Sequence, residues 1–528
     1  MDRTHRLYTR RWAVRTREGR PALRLAWTIA FALCGACRND HAAPRAHCEL
    51  GINLARIAFD ASELSFRDVF KLSRPLRHEL ASGAPLHTPL DLRADGYPKS
   101  LASGHVASTL MLAQLGGRYP AGAYRCRYEG RGRIEFDPGA TVQRSAPGEI
   151  VVRVVPDDTG IGLRITATDP ADPIHNIRLL LPGVTTEDPK RPFRKAFLDR
   201  WRGFAALRFM DWMRTNDSRV VRWSDRNRPT FQTQATSTGV APEYIALLAN
   251  ELEADAWVCI PHRADNGYVR GLAELLRDRL AATRRVYIEY SNETWNGFFA
   301  QARYCARRGV KLGLSRDPAI AALRFHAQRA VEIFAIFEEV LGKNRLVRVL
   351  AAQSANPRTS RELLTWRGAA GHADALAIAP YFGLELGIPG QAAHTRRMSV
   401  EQILASCRSQ VTRTLAMASE QGRIAQHYGL RLLAYEGGQH LVGSGGAEND
   451  QQLMRLFHTA NRAPGMGRLY RDYLDGWRRL GGSLFCAYHS TGVYSKWGAW
   501  GHCESYAPGA DRSPKYLALR WFLRTRAK

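Results

Sequence analysis

The chain has 528 residues, 45% hydrophobic and 24% charged, a balance that excludes a disordered or fibrous protein and exceeds one small core. Lysine and arginine number 76 against 49 acidic residues, a formal net charge of +27 carried mostly by arginine. Such a surplus suits a nucleic-acid or acidic-polymer partner, but there is no zinc-finger spacing, RNP-like aromatic string or long basic block in the body; a solvated basic surface without a nucleic-acid partner is expected.

Residues 1–47 read as a signal or anchor segment. An arginine-rich stretch, MDRTHRLYTRRWAVRTREGR, precedes the apolar run ALRLAWTIAFALCGAC (22–37), the order of an export signal. Its apolar core, Leu25 to Ala36, is shorter than the roughly 20 residues a membrane span needs. TRRW resembles a twin-arginine motif and CGAC a lipoprotein cleavage box. Export to the periplasm, outer surface or medium is expected, with any membrane anchoring through the N-terminus only.

GINLARIAF (51–59) reads as a first strand with a glycine entry, inside a lead-in at 48–84. The unit at 85–185 is expected to be a β-sandwich. From Tyr119 to Leu181, five short alternating stretches (AYRCRYEG, GRIEF, GEIVVRVV, IGLRITATD and HNIRLLLPG) are separated by turn residues every 10 or so positions. It suits glycan binding or simple packing.

After Pro182 the rhythm changes to strand then helix. Strands are expected at 204–212, 255–262, 284–291, 345–353, 373–382, 430–438 and 481–489, with helical periods such as APEYIALLANELEA and HAQRAVEIFAIFEEVLG between them. With the upstream strand they make eight, the number that closes a (β/α)8 TIM barrel, so 186–528 completes the barrel and the sandwich is inserted between strands 1 and 2. A doubly wound open sheet is the competitor, but no G-x-G-x-x-G fingerprint opens any unit.

Two of the nine cysteines lie in the signal-like segment, and the rest show no CxxC or Cys/His metal spacing. No metal or redox cofactor is implied. Cys486 and Cys503 flank one Gly/Ser-rich loop, placed to pair in an oxidising compartment or to be buried thiols.

In such a barrel, loops at the carboxyl ends of the strands converge on one mouth. The strand ends supply Asp211 and Trp212, His262, Asn292–Glu293, Gln353, Tyr381, Glu436 and His489. Glu293 ends strand 4 and Glu436 ends strand 7, on opposing sides of the ring. Glycoside hydrolysis with retention needs two carboxyls about 5–5.5 Å apart, one to protonate the leaving oxygen and one to attack the anomeric carbon. A negative neighbour keeps the acid protonated, and Glu436 would serve Glu293 so. The alternative for Glu293 is structural: Asn292 as a helix N-cap and an acid in the first turn of a helix running from Trp295. Glu436 before Gly437–Gly438 reads alternatively as a solvated loop carboxylate, and His262 as a structural hydrogen-bonder. Trp212, Trp223, Trp295, Trp497 and Trp500 suit stacking on sugar faces or burial.

SNETWN together with AYEGG resembles the large clan of retaining (β/α)8 glycoside hydrolases, with Asn-Glu at the end of strand 4 and Glu at the end of strand 7. The resemblance implies Glu293 as acid/base, Asn292 as its sugar-binding neighbour, Glu436 as nucleophile and Tyr381 as the tyrosine touching the nucleophile. GINL, LRFMDWMRTN, IEYSNETWNG and YSKWGAWG are more closely similar to exported bacterial proteins often labelled cellulose-binding, over most of residues 50–525. The chain departs from the clan in two places. Pro380, not histidine, precedes Tyr381, and strand 8 ends on Tyr488 and His489, with Trp497 only later. The expected function is a retaining glycosidase acting on a poly- or oligosaccharide through Glu293 and Glu436; the alternative is a non-catalytic polysaccharide-binding barrel at the cell surface.

Overall fold

A computed structural model describes residues 48–185 and 188–525. The signal-like segment, with Cys34 and Cys37, lies outside the described residues. The chain enters strand β1 (Glu49–Asn53) and then leaves the barrel for eight antiparallel strands. These are β2 (Arg77–Leu80), β3 (His105–Met111), β4 (Gly122–Glu129), β5 (Gly132–Phe136), β6 (Ala140–Ala146), β7 (Glu149–Val154), β8 (Ile161–Thr168) and β9 (His175–Leu180). They form two four-stranded sheets, ordered β2-β3-β8-β5 and β6-β7-β4-β9. Alternating residues such as Tyr124, Cys126, Val152, Leu163, Ile165 and Leu179 point inward and share one apolar core. Three of these strands, β2, β3 and β6, had no alternating signal: β6, ATVQRSA, is an edge strand that buries none of its residues.

The remaining strands are β10 (Ala206–Arg208), β11 (Asp255–Ile260), β12 (Val286–Tyr290), β13 (Leu346–Ala351), β14 (Ala375–Ile378), β15 (Arg431–Ala434) and β16 (Leu484–Ala487). With β1 they close an eight-stranded parallel barrel, β16 pairing back onto β1 from Glu49↔Leu484 to Ile52↔Ala487. The sandwich is therefore inserted between the first and second barrel strands, as the sequence led one to expect. Strands such as DAWVCI and VYIEY are buried at every position, which is why they read as continuous apolar runs. The lumen alternates bulk with small side chains: Trp257 stacks on Tyr287 at 5.2 Å, beside Ala206, Ala375 and Ala377. The outer helices start on sequence-legible caps, among them Asp265, Asp317 and Ser399, whose side chains accept backbone N–H bonds.

The Cys486–Cys503 bridge does not form. Cys486 sits inside the lumen on β16, and Cys486 and Cys503 are both free, buried thiols.

The exit from β1 is fastened to the loop after β16 by a buried acid. Glu63 accepts hydrogen bonds from Ser490 Oγ (2.7 Å) and Tyr506 Oη (3.2 Å), and the same Ser490 hydroxyl accepts the Ala55 N–H at 2.8 Å. Burial pushes the Glu63 carboxyl up from 4.5 to about 7, against the lowering pull of its hydrogen bonds and of Arg200. The folded state thus holds this proton more tightly than the unfolded chain. Its contribution to stability is complete below pH 4.5 and is lost as pH rises through 7. The loss is about 3 kcal/mol, and Glu63→Gln should remove it. Urea midpoints across this range should slope less in the variant than in the wild type; equal slopes would contradict the assignment.

Candidate active site

The carboxyl ends of the barrel strands carry a polar network organised by one arginine. Arg208, the last residue of β10, is completely buried and uses every guanidinium donor. Its Nε and Nη2 grip Glu289 (both 3.0 Å), Nη2 also reaches Asn292 Oδ1 (2.9 Å), and Nη1 reaches Asn53 Oδ1 (3.0 Å) and Glu436 Oε2 (3.1 Å). Five donors in a planar fork fix the guanidinium in one orientation. Glu289, four residues before Glu293 and facing the lumen, is closed off by the indole N–H of Trp257 (2.9 Å) and the thiol of Cys259 (3.3 Å).

Glu293 stands just beyond β12 on strained backbone. Ser291 and Glu293 both have left-handed φ, 60° and 44°, a region that ordinary side chains seldom occupy without support from their surroundings. The helix that follows, Ala300–Lys311, starts beyond Phe299. Asn292 is therefore no helix cap and Glu293 lies in no first turn, which removes the structural alternative raised by the sequence. The Glu293 carboxylate accepts from Asn296 Nδ2 (2.8 Å) and from the Tyr435 hydroxyl (3.3 Å). Tyr435 directly precedes Glu436, so the two strand ends meet across the barrel through adjacent residues. Glu436 itself is buried, 6% exposed, and is not the solvated loop carboxylate that the flanking glycines allowed.

Electrostatics separate the two acids. Burial raises the affinity of both for protons. The Asn296 and Tyr435 hydrogen bonds and Arg208 pull Glu293 back down, while Glu289 adds to the rise. For Glu436 the Arg208 guanidinium opposes burial, and Glu293, Glu289 and Asp211 reinforce it. Two neighbouring carboxyls in one apolar-walled site share a proton rather than both ionising. The direct Arg208 bond favours the charged form of Glu436, but burial and the neighbouring carboxyls outweigh it and raise its carboxyl to about 8.

Asn292 is buried, its carbonyl oxygen bound by Arg208 and one amide hydrogen donated to Asn216 Oδ1 (3.0 Å). Tyr381 is half-buried in an edge-to-face group with His440 (5.5 Å), Trp500 (6.1 Å) and Tyr488 (6.3 Å), drawn from the segments after β14, β15 and β16. His489 is half-buried next to Tyr488, to which it is joined by a cis peptide; burial, with Lys515 and Arg56, lowers it to about 3. Trp497 is half-buried, and its carbonyl fixes the Trp500 indole at 2.7 Å. Trp295 and Gln353 are half-buried in the loops after β12 and β13, and the Gln353 carbonyl accepts from Gln421 Nε2 at 3.3 Å.

Two residues expected at the mouth are buried and packed on aromatic side chains. Trp212 is fully buried, packed on Phe209, Phe66 and Phe193. The strand stops at Arg208, and the apolar residues that follow turn down into the core. His262 is buried edge-on to Tyr304 at 5.2 Å, and burial holds it at about 4, neutral at physiological pH.

Arg208, Asn53 and Glu289 were not legible as strand ends because they fall inside the longer strands expected at 204–212, 51–59 and 284–291, and Tyr435 because it reads as apolar. A charge in an apolar run is the signal that was present: a buried arginine and a buried glutamate each demand a partner. A separate cavity of about 510 Å³ opens at the amino-terminal end of the barrel, where two of its three acids, Asp255 and Glu49, are paired with Arg285 at 3.1 and 3.9 Å.

No family model and no curated protein matches the chain. Among solved structures it is similar to a 4-O-alpha-L-rhamnosyl-beta-D-glucuronidase from Fusarium oxysporum 12S (11% identity, TM-score 0.37, covering 62% of each chain). It is also similar to a beta-glucuronidase from Bacteroides uniformis (10% identity, TM-score 0.34, covering 80% of this chain and 48% of that one). A third is a glycoside hydrolase family 5 mannosidase from Rhizomucor miehei (9% identity, TM-score 0.35, covering 65% of this chain and 92% of that one). The chain spans less than two thirds of the length of the first two.

Proposed function

We propose that the protein is a retaining glycoside hydrolase acting on a poly- or oligosaccharide. Glu293 donates its proton to the leaving glycosidic oxygen while Glu436 attacks the anomeric carbon. Glu293, now a base, then takes a proton from the water that cleaves the glycosyl ester. Arg208 aims Glu436 and opposes the burial that favours its neutral form. Asn292 retains one amide hydrogen for the sugar 2-hydroxyl, a bond that strengthens as positive charge develops on the ring. The observation that carries this reading is the Tyr435 hydroxyl on Glu293, because it brings the end of β12 to the residue adjoining Glu436. The leader at residues 1–47 supports export, and among the described residues no helix is long and apolar enough to cross a membrane.

The test is hydrolysis of a panel of aryl glycosides and of neutral and acidic polysaccharides. Wild type should cleave at least one, and Glu293→Gln should lose roughly 10²–10⁴-fold in rate while keeping its affinity for the glycan. Binding without cleavage by wild type would replace this reading with a non-catalytic polysaccharide-binding barrel.

A further inference from the structure

The outward face of one sandwich sheet concentrates part of the arginine surplus. In the sheet β6-β7-β4-β9, Tyr124 and Cys126 of β4 and Ile150, Val152 and Val154 of β7 point into the core. The alternate positions, Arg125 and Arg127 on β4 and Arg153 on β7, therefore point out. Arg144 of β6 is paired across from Val151, and Arg178 of β9 across from Arg127, which places both on the same face. Five arginines thus stand on neighbouring strands, spaced about 4.8 Å across the sheet and about 7 Å along each strand.

Two acids among the described residues are paired with them. Glu149 takes Arg144 at 2.6 Å, Arg127 at 3.5 Å and Arg125 at 3.6 Å, and Glu129 at the rim takes Arg178 at 3.7 Å. Arg125, Arg144 and Arg153, with one carboxylate beside them among the described residues, leave positive charge on this face, and the Arg125 and Arg144 side chains remain accessible, 35% and 67% exposed. The other sheet alternates its signs instead, with Arg133 and Glu135 paired at 2.9 Å.

We infer that this face binds an anionic polysaccharide through its carboxylates. Glu149 shows the chemistry in place, since the surrounding guanidiniums already converge on a carboxylate and carry charge to spare for others arrayed along a chain. A guanidinium fork matches a carboxylate in two parallel hydrogen bonds, which a neutral hydroxyl cannot answer. The face suits nucleic acid less well. Single strands need aromatic platforms for their bases, and Tyr128, the aromatic residue of β4 nearest these arginines, packs inward against the core. A flat sheet face also presents nothing that enters a duplex groove. This surface is separate from the barrel mouth and acts whether or not the barrel cleaves.

The experiment measures binding of the full chain to polygalacturonate, to neutral dextran and to duplex DNA in the same buffer over a salt series. Polygalacturonate is expected to bind best, with affinity falling steeply as salt rises. Changing Arg127, Arg144 and Arg153 together to alanine should weaken it roughly tenfold or more and flatten the salt dependence. Glu149→Gln, which removes no arginine and only the offsetting charge, should tighten it. Unchanged binding in the triple variant, weaker binding in Glu149→Gln, or equal or better binding of dextran or duplex DNA would overturn the inference. Polygalacturonate bound with no glycan cleaved leaves this surface standing and removes the hydrolase; cleavage without arginine-dependent binding does the reverse.

Discussion

Arg208→Met is expected to destabilise the protein by about 3–5 kcal/mol, the cost of stranding one member of a buried ion pair. Methionine fills most of the volume, so the loss reports charge and hydrogen bonding rather than a cavity. Glu289 would remain fully buried with only Trp257 and Cys259 as donors, and Asn53, Asn292 and Glu436 would each lose a bond. Adding Glu289→Gln should recover part of the loss, because the stranded charge is then gone; in a double-mutant cycle the two sites should couple strongly. Urea unfolding of the four proteins measures this. Additive effects, or a single-variant loss below about 1 kcal/mol, would mean that the network does not support the fold as drawn. Arg208→Lys should fall between wild type and Arg208→Met, since an ammonium keeps the charge but has three donors, not five.

Glu436→Gln is expected to abolish turnover, with a loss at least as large as that from Glu293→Gln, because no covalent route remains. A second consequence does not depend on activity. Glu436 and Glu293 raise each other's affinity for protons, and replacing Glu436 with a neutral amide removes that contribution at Glu293. Arg208, no longer offset by Glu436, then bears more fully on Glu293. The Glu293 carboxyl should therefore titrate at lower pH in Glu436→Gln than in wild type, as read by NMR of carboxyl-labelled glutamate. An unmoved or rising Glu293 titration would mean that the two groups do not sense each other. In wild type the same coupling places the alkaline limit of activity above the ordinary glutamate range of about 4.3.

The barrel was legible because parallel strands buried on both faces leave runs such as DAWVCI and VYIEY, and because capped helices separate them. Strand ends were legible less sharply. LRFMDW stays apolar past the point where β10 stops, so its length suggested a longer strand and put Trp212 at the mouth rather than in the core. The sequence suggests a helix start at Trp295–Phe299, where the structure has a loop, because the left-handed turns at Ser291 and Glu293 have no sequence signature. Glu293 and Glu436 were found because carboxylates just beyond buried strands are rare. Their supports were not, because Arg208, at the end of β10, and Glu289, within β12, find each other only when β10, β11 and β12 come into register: Arg208 beside Trp257, and Cys259 beside Glu289. The strands β2 and β6 went unseen for the opposite reason. Neither buries a residue, so neither has an apolar side to alternate.

The proposed chemistry is tested most directly by trapping. A fluoroglycoside matching whichever glycoside the wild type hydrolyses should accumulate as a covalent glycosyl-enzyme, and peptide mass spectrometry of the trapped protein should find the sugar on Glu436. A label on any other residue, or continued turnover with no label at all, would contradict it.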